Sequence, residues 1–502
     1  MPQTARMVLA IDQGTTGTTV LVVDPEGRVR GRAYGEIRQF YPRPGWVEHD
    51  PQEIYRSAVA LCRLAMARAR VGTERVAAAG ISNQRETFVV WERRTGNPVG
   101  RAIVWQCRRS ASICERLRGR EPEIAARTGL VVDPYFSASK LKWLLDRDRS
   151  LRRRAARGEL CFGTIESWLI FRLSGGRAFV TDLTNAARTM LFNLRRCQWD
   201  SVLLRMFDVP AEMLARPVAP RGPLAEVAAG VLGPRPVPIG AAIGDQQAAL
   251  FGHRATSPGQ TKVTYGTGAF LLTHTGQTFV ASRNRLLSTI ALGLHGEPAY
   301  ALEGSVFMAG AVVQWLRDGL GLLRNARESE QLARQSTSRG EPYLVPAFVG
   351  LGAPYWDSGA RGALLGVTRG TSRADVVRAA LDSIAYQVCD VLGAMEKDTG
   401  RRIREISADG GTAANDYLMQ FQADVAGTRI RRTRQREMTA YGAALLAGMA
   451  VGLWRSADDL AGLDLRTETF TPSMTSAQRK RLLAGWYEAV SRVRSQRQAP
   501  RR

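Results

Sequence analysis

Three short turns rich in Gly, Thr and Asn could bind phosphate groups. They are DQGTTGTT at 12–19, TYGTG at 264–268 and ADGGTAAN at 408–415. Glycine lets successive backbone N–H groups converge on an anion, and hydroxyl or amide side chains add donors. Any one of these turns is also typical of an ordinary hairpin. Three of them, shared between the two halves of the chain, favour a polyphosphate clamped from both sides.

Two carboxylates lie next to such turns or to a strand end. Asp12 opens the first turn and would hold Mg²⁺ through water, because Mg²⁺ keeps most of its hydration shell and takes few carboxylates. Asp245 follows the strand-like segment VPIGAAIG and precedes QQAALFG. Ligands of α/β sheets bind at strand ends, which favours a functional role for Asp245. The alternative for Asp245 is an ordinary helix N-cap.

Further polar and aromatic residues could recognise a molecule that carries hydroxyl groups. Arg85 and Glu86, in SNQRET, supply adjacent hydrogen-bond donors and acceptors. The alternative is that they form an ordinary surface ion pair. Trp105, Tyr135 and Phe270 could cover a carbon backbone, and each could equally be a core aromatic.

Several common classes of site are absent from the sequence. No G-K-[ST] or G-x-G-x-x-G motif occurs, which excludes a P-loop and a Rossmann fingerprint. The six cysteines form no C-x-x-C pair, and with four His residues we expect no zinc site.

Strand and helix patterns alternate in two separate regions. Strand-like segments between 7 and 91 surround a helical stretch at 51–70, which should begin with Asp50 as N-cap and Pro51 in the first turn. A second series begins at 261. We therefore predict an α/β protein of two similarly built domains, 1–252 and 253–502.

The net charge of +24 raises the question of nucleic-acid binding. The 70 basic residues include only five Lys, and the Arg residues are spread along the chain, which favours a solvated basic face without a specific nucleic-acid partner. No apolar run is long enough to span a membrane, and the N-terminus runs into a strand-like segment without a signal-peptide core. We expect a cytoplasmic protein that is not inserted in a membrane.

Taken in order, these segments resemble the FGGY carbohydrate kinase family over nearly the whole chain. The segments that carry the resemblance are AIDQGTTG, IGDQQAALFG, TYGTGAFLL, ALEGSVFMAGAVVQWLRD, DGGTAANDYLMQFQADV, YFSASKLKWLLD and GALLGVTRGTSRADVVRAALD. The resemblance implies two ribonuclease-H-like domains of the actin-like ATPase fold with a cleft between them.

The resemblance also implies roles for individual residues. It makes Asp245 the catalytic base and, with Asp12, a Mg²⁺-binding residue. Positions that match nucleotide-contacting residues of the family are Thr15, Thr16, Gly17, Thr267, Gly310, Gln314, Gly411 and Asn415. Positions that match its polyol pocket are Arg85, Glu86, Trp105, Tyr135, Asp245, Gln246 and Phe270.

These matches imply ATP-dependent phosphorylation of glycerol to sn-glycerol 3-phosphate, with ATP and Mg²⁺ as cofactors. The alternatives are a family member that acts on another polyol or sugar, and a catalytically weak nucleotide-binding paralogue. We expect a homo-oligomer, either a dimer or a tetramer.

The chain departs from the family pattern at three places. Thr19 stands where an Arg commonly ends the first turn, and Cys107 stands where Asp is common in W-Q-D-R-R. The segment LGPRPVP lacks the Gly-rich loop with which some bacterial members bind fructose 1,6-bisphosphate.

Overall fold

The computed structural model describes residues 6–338, 340–357, 359–463 and 465–495. The first five residues, on which the expected absence of a signal peptide partly depends, lie outside the described residues. No helix in the described ranges is both long enough and apolar enough to cross a bilayer.

The first half of the chain is a mixture of strands and helices. Its strands are β1 (Met7–Gln13), β2 (Gly17–Val23), β3 (Val29–Glu36), β4 (Gln39–Phe40), β5 (Glu48–His49), β6 (Val76–Asn83), β7 (Phe88–Glu92), β8 (Ala102–Ile103), β9 (Leu160–Thr164), β10 (Val180–Asp182), β11 (Phe192–Asn193), β12 (Gln198–Trp199), β13 (Arg216–Val218), β14 (Arg221–Val227) and β15 (Val237–Gly244). Its α-helices are α1 (Pro51–Ala69), α2 (Ala111–Leu117), α3 (Glu121–Thr128), α4 (Ser137–Arg147), α5 (Arg149–Ala156), α6 (Ile165–Leu173), α7 (Leu183–Ala186), α8 (Ser201–Phe207) and α9 (Asp245–Gly252).

The second half is also a mixture of strands and helices. Its strands are β16 (Thr261–Tyr265), β17 (Ala269–Gly276), β18 (Leu287–Leu292), β19 (Pro298–Val306), β20 (Tyr343–Val345), β21 (Ala363–Leu365), β22 (Glu405–Asp409), β23 (Arg429–Thr433) and β24 (Thr467–Phe470). Its α-helices are α10 (Gly310–Gln314), α11 (Glu328–Gln335), α12 (Arg373–Thr399), α13 (Asp416–Ala426), α14 (Met438–Ala450), α15 (Ala457–Ala461) and α16 (Ser476–Val493).

The two large sheets share one topology. In the first, the order is β14-β15-β6-β1-β2-β3, with β1, β2 and β3 antiparallel and β6 and β15 parallel to β1. In the second, the order is β18-β19-β17-β16-β22-β23-β24, with β16, β17 and β19 antiparallel and β22 and β23 parallel to β16. The structure therefore contains the repeat that the residues alone are too dissimilar to reveal.

Two helices pack between the sheets and tie them together. Helix α9 follows β15 and packs against β16 and β17 of the second sheet, whereas α14 follows β23 and packs against β1, β6 and β15 of the first. The apolar face of α14 joins Val8, Ala10 and Leu21 in one buried cluster. The second half of the chain thus contributes a helix to the core of the first sheet. The division at residue 252 remains a prediction, and it falls between α9 and β16.

Helix α1 begins where the sequence predicts, and two later segments have features that the sequence analysis did not address. Helix α1 begins after Asp50, whose side chain accepts a hydrogen bond from the Gln52 N–H, which confirms the predicted cap. The Pro/Arg-rich stretch 216–238 contains β13 and the edge strand β14, and β14 pairs with β15. Helix α10 is followed directly by a short π-helix at Trp315–Gly319.

Candidate active site

The first Gly/Thr turn connects β1 to β2, and one of its threonines contacts the side chain of Trp105. The Gly14 N–H donates to the Gly17 carbonyl at 2.9 Å, which closes the turn. The Thr15 hydroxyl accepts a hydrogen bond from Trp105 Nε1 at 2.8 Å, and Thr16 is exposed. A Cβ on Gly17 would lie 2.5 Å from the Gly35 carbonyl oxygen, so the β2–β3 packing by itself requires glycine at this position.

The second and third turns line one cavity in the second half. The cavity has a volume of about 470 Å³ and is lined by Gly266, Thr267, Gly310, Val313, Gln314, Arg317, Ala326, Arg327, Ser329, Glu330, Gly411, Thr412, Ala414 and Asn415. Five residues predicted to contact a nucleotide belong to this lining: Thr267, Gly310, Gln314, Gly411 and Asn415.

Close backbone packing shapes this cavity. A Cβ on Gly310 would lie 2.7 Å from the Gly266 carbonyl oxygen, so only glycine lets α10 begin against the second turn. A Cβ on Gly411 would meet nothing within 4 Å, so the third turn borders open space. The β16–β17 turn occupies the position in the second sheet that the β1–β2 turn occupies in the first.

Asp245 is not a helix N-cap. The N-cap of α9 is Gly244, and Asp245 is the first helical residue. Its Oδ1 accepts a hydrogen bond from the Gln246 N–H at 2.7 Å and lies 3.0 Å from Arg85 Nε. The Asp245 side chain is 28% exposed. The N-cap interpretation is therefore wrong, and the carboxylate remains accessible for chemistry.

Asp12 carries a carboxylate oxygen that suits a cation. Burial, followed by the negative charge of Asp245, raises the pKa of Asp12 to about 8. Asp12 Oδ1 is buried and has no hydrogen-bond partner in the described part of the chain. A divalent cation would satisfy this oxygen and offset the repulsion between the two carboxylates, so these residues fit Mg²⁺. In the same described ranges, no three His, Cys, Asp or Glu side chains gather as a metal site, so most ligands of such an ion would be phosphate and water oxygens.

A buried ion network lies beside Asp245. It consists of Arg85, Glu86, Arg188, Asp245 and Glu303. Arg85 binds Glu303 with both terminal nitrogens, at 2.6 and 2.9 Å, while Arg188 Nε binds Glu86 at 2.6 Å. Burial by itself would raise the pKa of Glu303, but the positive charges of Arg188 and Arg85 lower it to about 2. Arg85 and Glu86 therefore do not form the surface ion pair that was the alternative.

Two of the three predicted aromatic residues form a wall next to this network. The rings of Trp105 and Tyr135 are 5.4 Å apart and nearly perpendicular, and both residues are half-buried. The Arg188 guanidinium lies 5.8 Å from the centre of the Tyr135 ring. Phe270 is also half-buried and lies on β17 directly opposite Ser305.

Gln246 is held by a buried lysine that was not predicted to belong to the site. Lys262 Nζ donates to Gln246 Oε1 at 2.5 Å and to Thr264 Oγ1 at 2.9 Å. Burial lowers the pKa of Lys262 to about 8.

Arg188 and Glu303 also belong to this site and were not predicted from the sequence. Glu303 lies in ALEGSVF and Arg188 in TNAARTM, and neither segment contains a turn or strand-end pattern of the kind used to find the other residues. A charged residue within an apolar strand, such as Glu303 in β19, was the available signal, because such a residue needs a buried partner.

Two family models match the chain. The N-terminal domain of the FGGY family of carbohydrate kinases matches residues 7–252, and the C-terminal domain of the same family matches residues 261–451. The chain is 52% identical over 493 residues to a glycerol kinase of Stenotrophomonas maltophilia, covering 97% of this chain and 98% of that protein. It is 49% identical over 489 residues to glycerol kinase 2 of Thermotoga maritima, with coverages of 97% and 98%.

A solved structure shares the arrangement of both halves. The crystal structure of Plasmodium falciparum glycerol kinase with ADP superimposes with a TM-score of 0.92 at 33% identity, covering 98% of this chain and 99% of that one. The fold has two ribonuclease-H-like sheets, and the sequence similarity extends over nearly the full length. The chain therefore belongs to the FGGY family of carbohydrate kinases.

Proposed function

We propose that the protein transfers the terminal phosphoryl group of ATP to glycerol, giving sn-glycerol 3-phosphate and ADP. The observation that carries the proposal is the similarity to glycerol kinases over nearly the whole chain. Two separate sites support the proposal. The second half contains a cavity of a size for a nucleotide, and the ion network and aromatic wall lie apart from it, beside Asp245.

Asp245 would act as the general base. Its carboxylate would accept the proton of the attacking hydroxyl as the new O–P bond forms and the bond to the ADP oxygen breaks. Arg85, Glu86 and Gln246 would orient the hydroxyl groups, and Trp105, Tyr135 and Phe270 would cover the carbon atoms. Such catalysis consists mostly of positioning and charge stabilisation.

ATP would span the two halves. The cavity between the second and third turns would take the nucleoside end, through Thr267, Gly310, Gln314, Gly411 and Asn415. The first turn, with Thr15, Thr16 and Gly17, would face the transferring phosphate. Asp12 and Asp245 would hold Mg²⁺, which supplies positive charge to the phosphate oxygens when bound. The cytoplasmic location and the homo-oligomer expected from the sequence stay predictions.

The decisive experiment is a coupled ADP-release assay with glycerol, erythritol, xylulose, ribulose and gluconate as acceptors. We expect glycerol to give the highest kcat/KM and its product to be oxidised by sn-glycerol-3-phosphate dehydrogenase. A reaction without acceptor measures background ATP hydrolysis. If a larger sugar wins tenfold, equivalent to about 1.4 kcal/mol of transition-state binding, the glycerol assignment is wrong and the family assignment stands. If no acceptor is phosphorylated, the protein is a weak nucleotide-binding paralogue.

A further inference from the structure

One cross-strand row of the second sheet presents two charged side chains to the first half of the chain. Lys262, Leu272 and Glu303 lie directly opposite one another on β16, β17 and β19. Both Lys262 and Glu303 are fully buried. A buried charge is costly unless it is paired or hydrogen-bonded, and both of these side chains find partners in the first half.

Glu303 fixes the orientation of Arg85. Its two carboxylate oxygens accept from Arg85 Nη1 at 2.6 Å and Nη2 at 2.9 Å. A two-pronged contact of this kind sets the plane of the guanidinium as well as its position. With both terminal nitrogens engaged, the remaining nitrogen, Nε, lies 3.0 Å from Asp245 Oδ1.

The same carboxylate also binds Arg188. Arg188 Nη2 donates to Glu303 Oε1 at 3.1 Å, and Arg188 Nε donates to Glu86 Oε1 at 2.6 Å. Glu86 has a φ of 62°, a left-handed conformation that is strained for a residue with a side chain. Glu303 therefore lies between two buried guanidinium groups, which would repel each other without it, and through Arg188 it supports Glu86.

Lys262 fixes the orientation of Gln246. An ammonium group can only donate hydrogen bonds, so Gln246 must turn its carbonyl oxygen toward Lys262 Nζ, as observed at 2.5 Å. The amide nitrogen of Gln246 then points away from Lys262 and is left as a donor.

We propose that Glu303 and Lys262 are positioning residues through which the second half of the chain completes the polyol pocket of the first half. The proposal rests on the function proposed above and deepens it. Neither residue needs to touch the polyol, because they act through Arg85, Glu86 and Gln246. It follows that polyol affinity depends on these two residues of the second half. The cavity proposed for the nucleoside end of ATP is lined by other residues of the second half, and neither Glu303 nor Lys262 is among them.

Glu303→Gln tests the proposal, because it keeps the size of the side chain and removes its charge. We expect the KM for glycerol to rise at least about tenfold while the KM for ATP and the Kd for ADP stay within about twofold. Lys262→Met should raise the KM for glycerol in the same way. The matched control is Glu297→Gln, an exposed residue just before β19, which should leave both KM values unchanged.

Three results would overturn the proposal. The first is an unchanged KM for glycerol in both variants. The second is an equal loss of glycerol and ADP binding together with a lower melting temperature, which would indicate a structural role. The third is an unchanged KM for glycerol in Lys262→Met, which decides against the proposal if Glu303→Gln does not fold. If the wild-type protein prefers another polyol, only the glycerol assignment is refuted. The KM values of the variants are then compared with that polyol in place of glycerol.

Discussion

At the scale of single residues, the contacts of Asp245 separate its two possible roles. An N-cap side chain would accept hydrogen bonds from the N–H groups of the first helical turn, but Gly244 holds the cap position of α9. The Asp245 carboxylate accepts from the Gln246 N–H, and it also pairs with Arg85 and stays partly exposed.

Asp245→Asn should slow turnover strongly without unfolding the protein. Asparagine keeps the size of the side chain and an oxygen that can accept from the Gln246 N–H, but it cannot accept a proton. A positioned general base contributes roughly 10²–10⁴-fold in rate, so we expect kcat to fall at least about 100-fold. A melting curve should stay within a few degrees of wild type, and calorimetry should still detect ADP binding. If the variant keeps more than about a third of wild-type turnover, the base is another residue.

Glu166 is a buried carboxyl group that the proposed reaction does not use. Its Oε1 accepts hydrogen bonds from the hydroxyls of Thr164, Ser167 and Thr181 at 2.7, 3.1 and 2.7 Å, while Oε2 has no partner in the described ranges. Burial and then the charge of Asp182 raise the pKa of Glu166 to about 8. The folded protein therefore holds a proton on Glu166 at pH values where the unfolded chain has released it.

This proton makes stability depend on pH. Between the ordinary pKa of Glu, about 4.3, and the raised value the folded state binds more protons than the unfolded state, so stability falls as pH rises. Glu166→Gln is neutral throughout, and we expect its melting temperature to decline less between pH 5 and 8 than that of wild type. The exposed Glu74→Gln serves as control and should follow wild type. Parallel curves for Glu166→Gln and wild type would contradict the raised pKa.

At the scale of elements, the crossing of α9 and α14 joins the two sheets. A Cβ on Gly442 would lie 1.9 Å from the Ala248 carbonyl oxygen, and a Cβ on Gly252 would lie 2.8 Å from the Met438 carbonyl oxygen. The two helix backbones approach this closely because neither has a side chain at the crossing.

Gly442→Ala should destabilise the protein, although alanine favours helices. The added methyl group would force α9 and α14 apart, and overpacking of this kind costs about 1–3 kcal/mol. Gly393, inside α12, is the matched control, because its Cβ would meet nothing within 4 Å. Gly393→Ala should stabilise the protein by about 0.5–1 kcal/mol. Urea unfolding of both variants measures the difference, and equal free energies of unfolding would show that the helices can separate freely.

At the scale of the whole molecule, the net charge of +24 acts over the entire surface. Many of its arginines are paired with carboxylates on the same surface, for example Arg38 with Glu53 and Arg434 with Glu468. Pairs of this kind are typical of a solvated face and supply no pattern for reading bases.

Binding to nucleic acid should therefore be weak, independent of sequence and strongly dependent on salt. Each phosphate contact releases a counterion, so six or more contacts would lower the affinity about 10³-fold or more between 50 and 200 mM salt. Fluorescence anisotropy with two unrelated labelled duplexes measures the affinity at each salt concentration. As a control, glycerol turnover is measured at 200 mM salt in the presence of duplex. A reproducible preference for one duplex would contradict the interpretation of the charge.

The sequence by itself determined the features that depend on neighbouring residues. Asp50 and Pro51 specify the start of α1 locally, and the Gly/Thr turns specify where strands end. The order of these turns also sufficed for the family. The resemblance to the family also placed Arg85 and Asp245, which come shortly after β6 and β15, in one polyol pocket.

Only the tertiary structure decided which charges pair across the cleft. Arg85 and Glu303 are 218 residues apart, and nothing near either residue in the sequence specifies the other. The same holds for Lys262 and Gln246, and for α14, which packs on the sheet of the first half. Such contacts form because burial requires a partner for every charge and for every apolar face, and the partner is whichever residue the completed fold brings near.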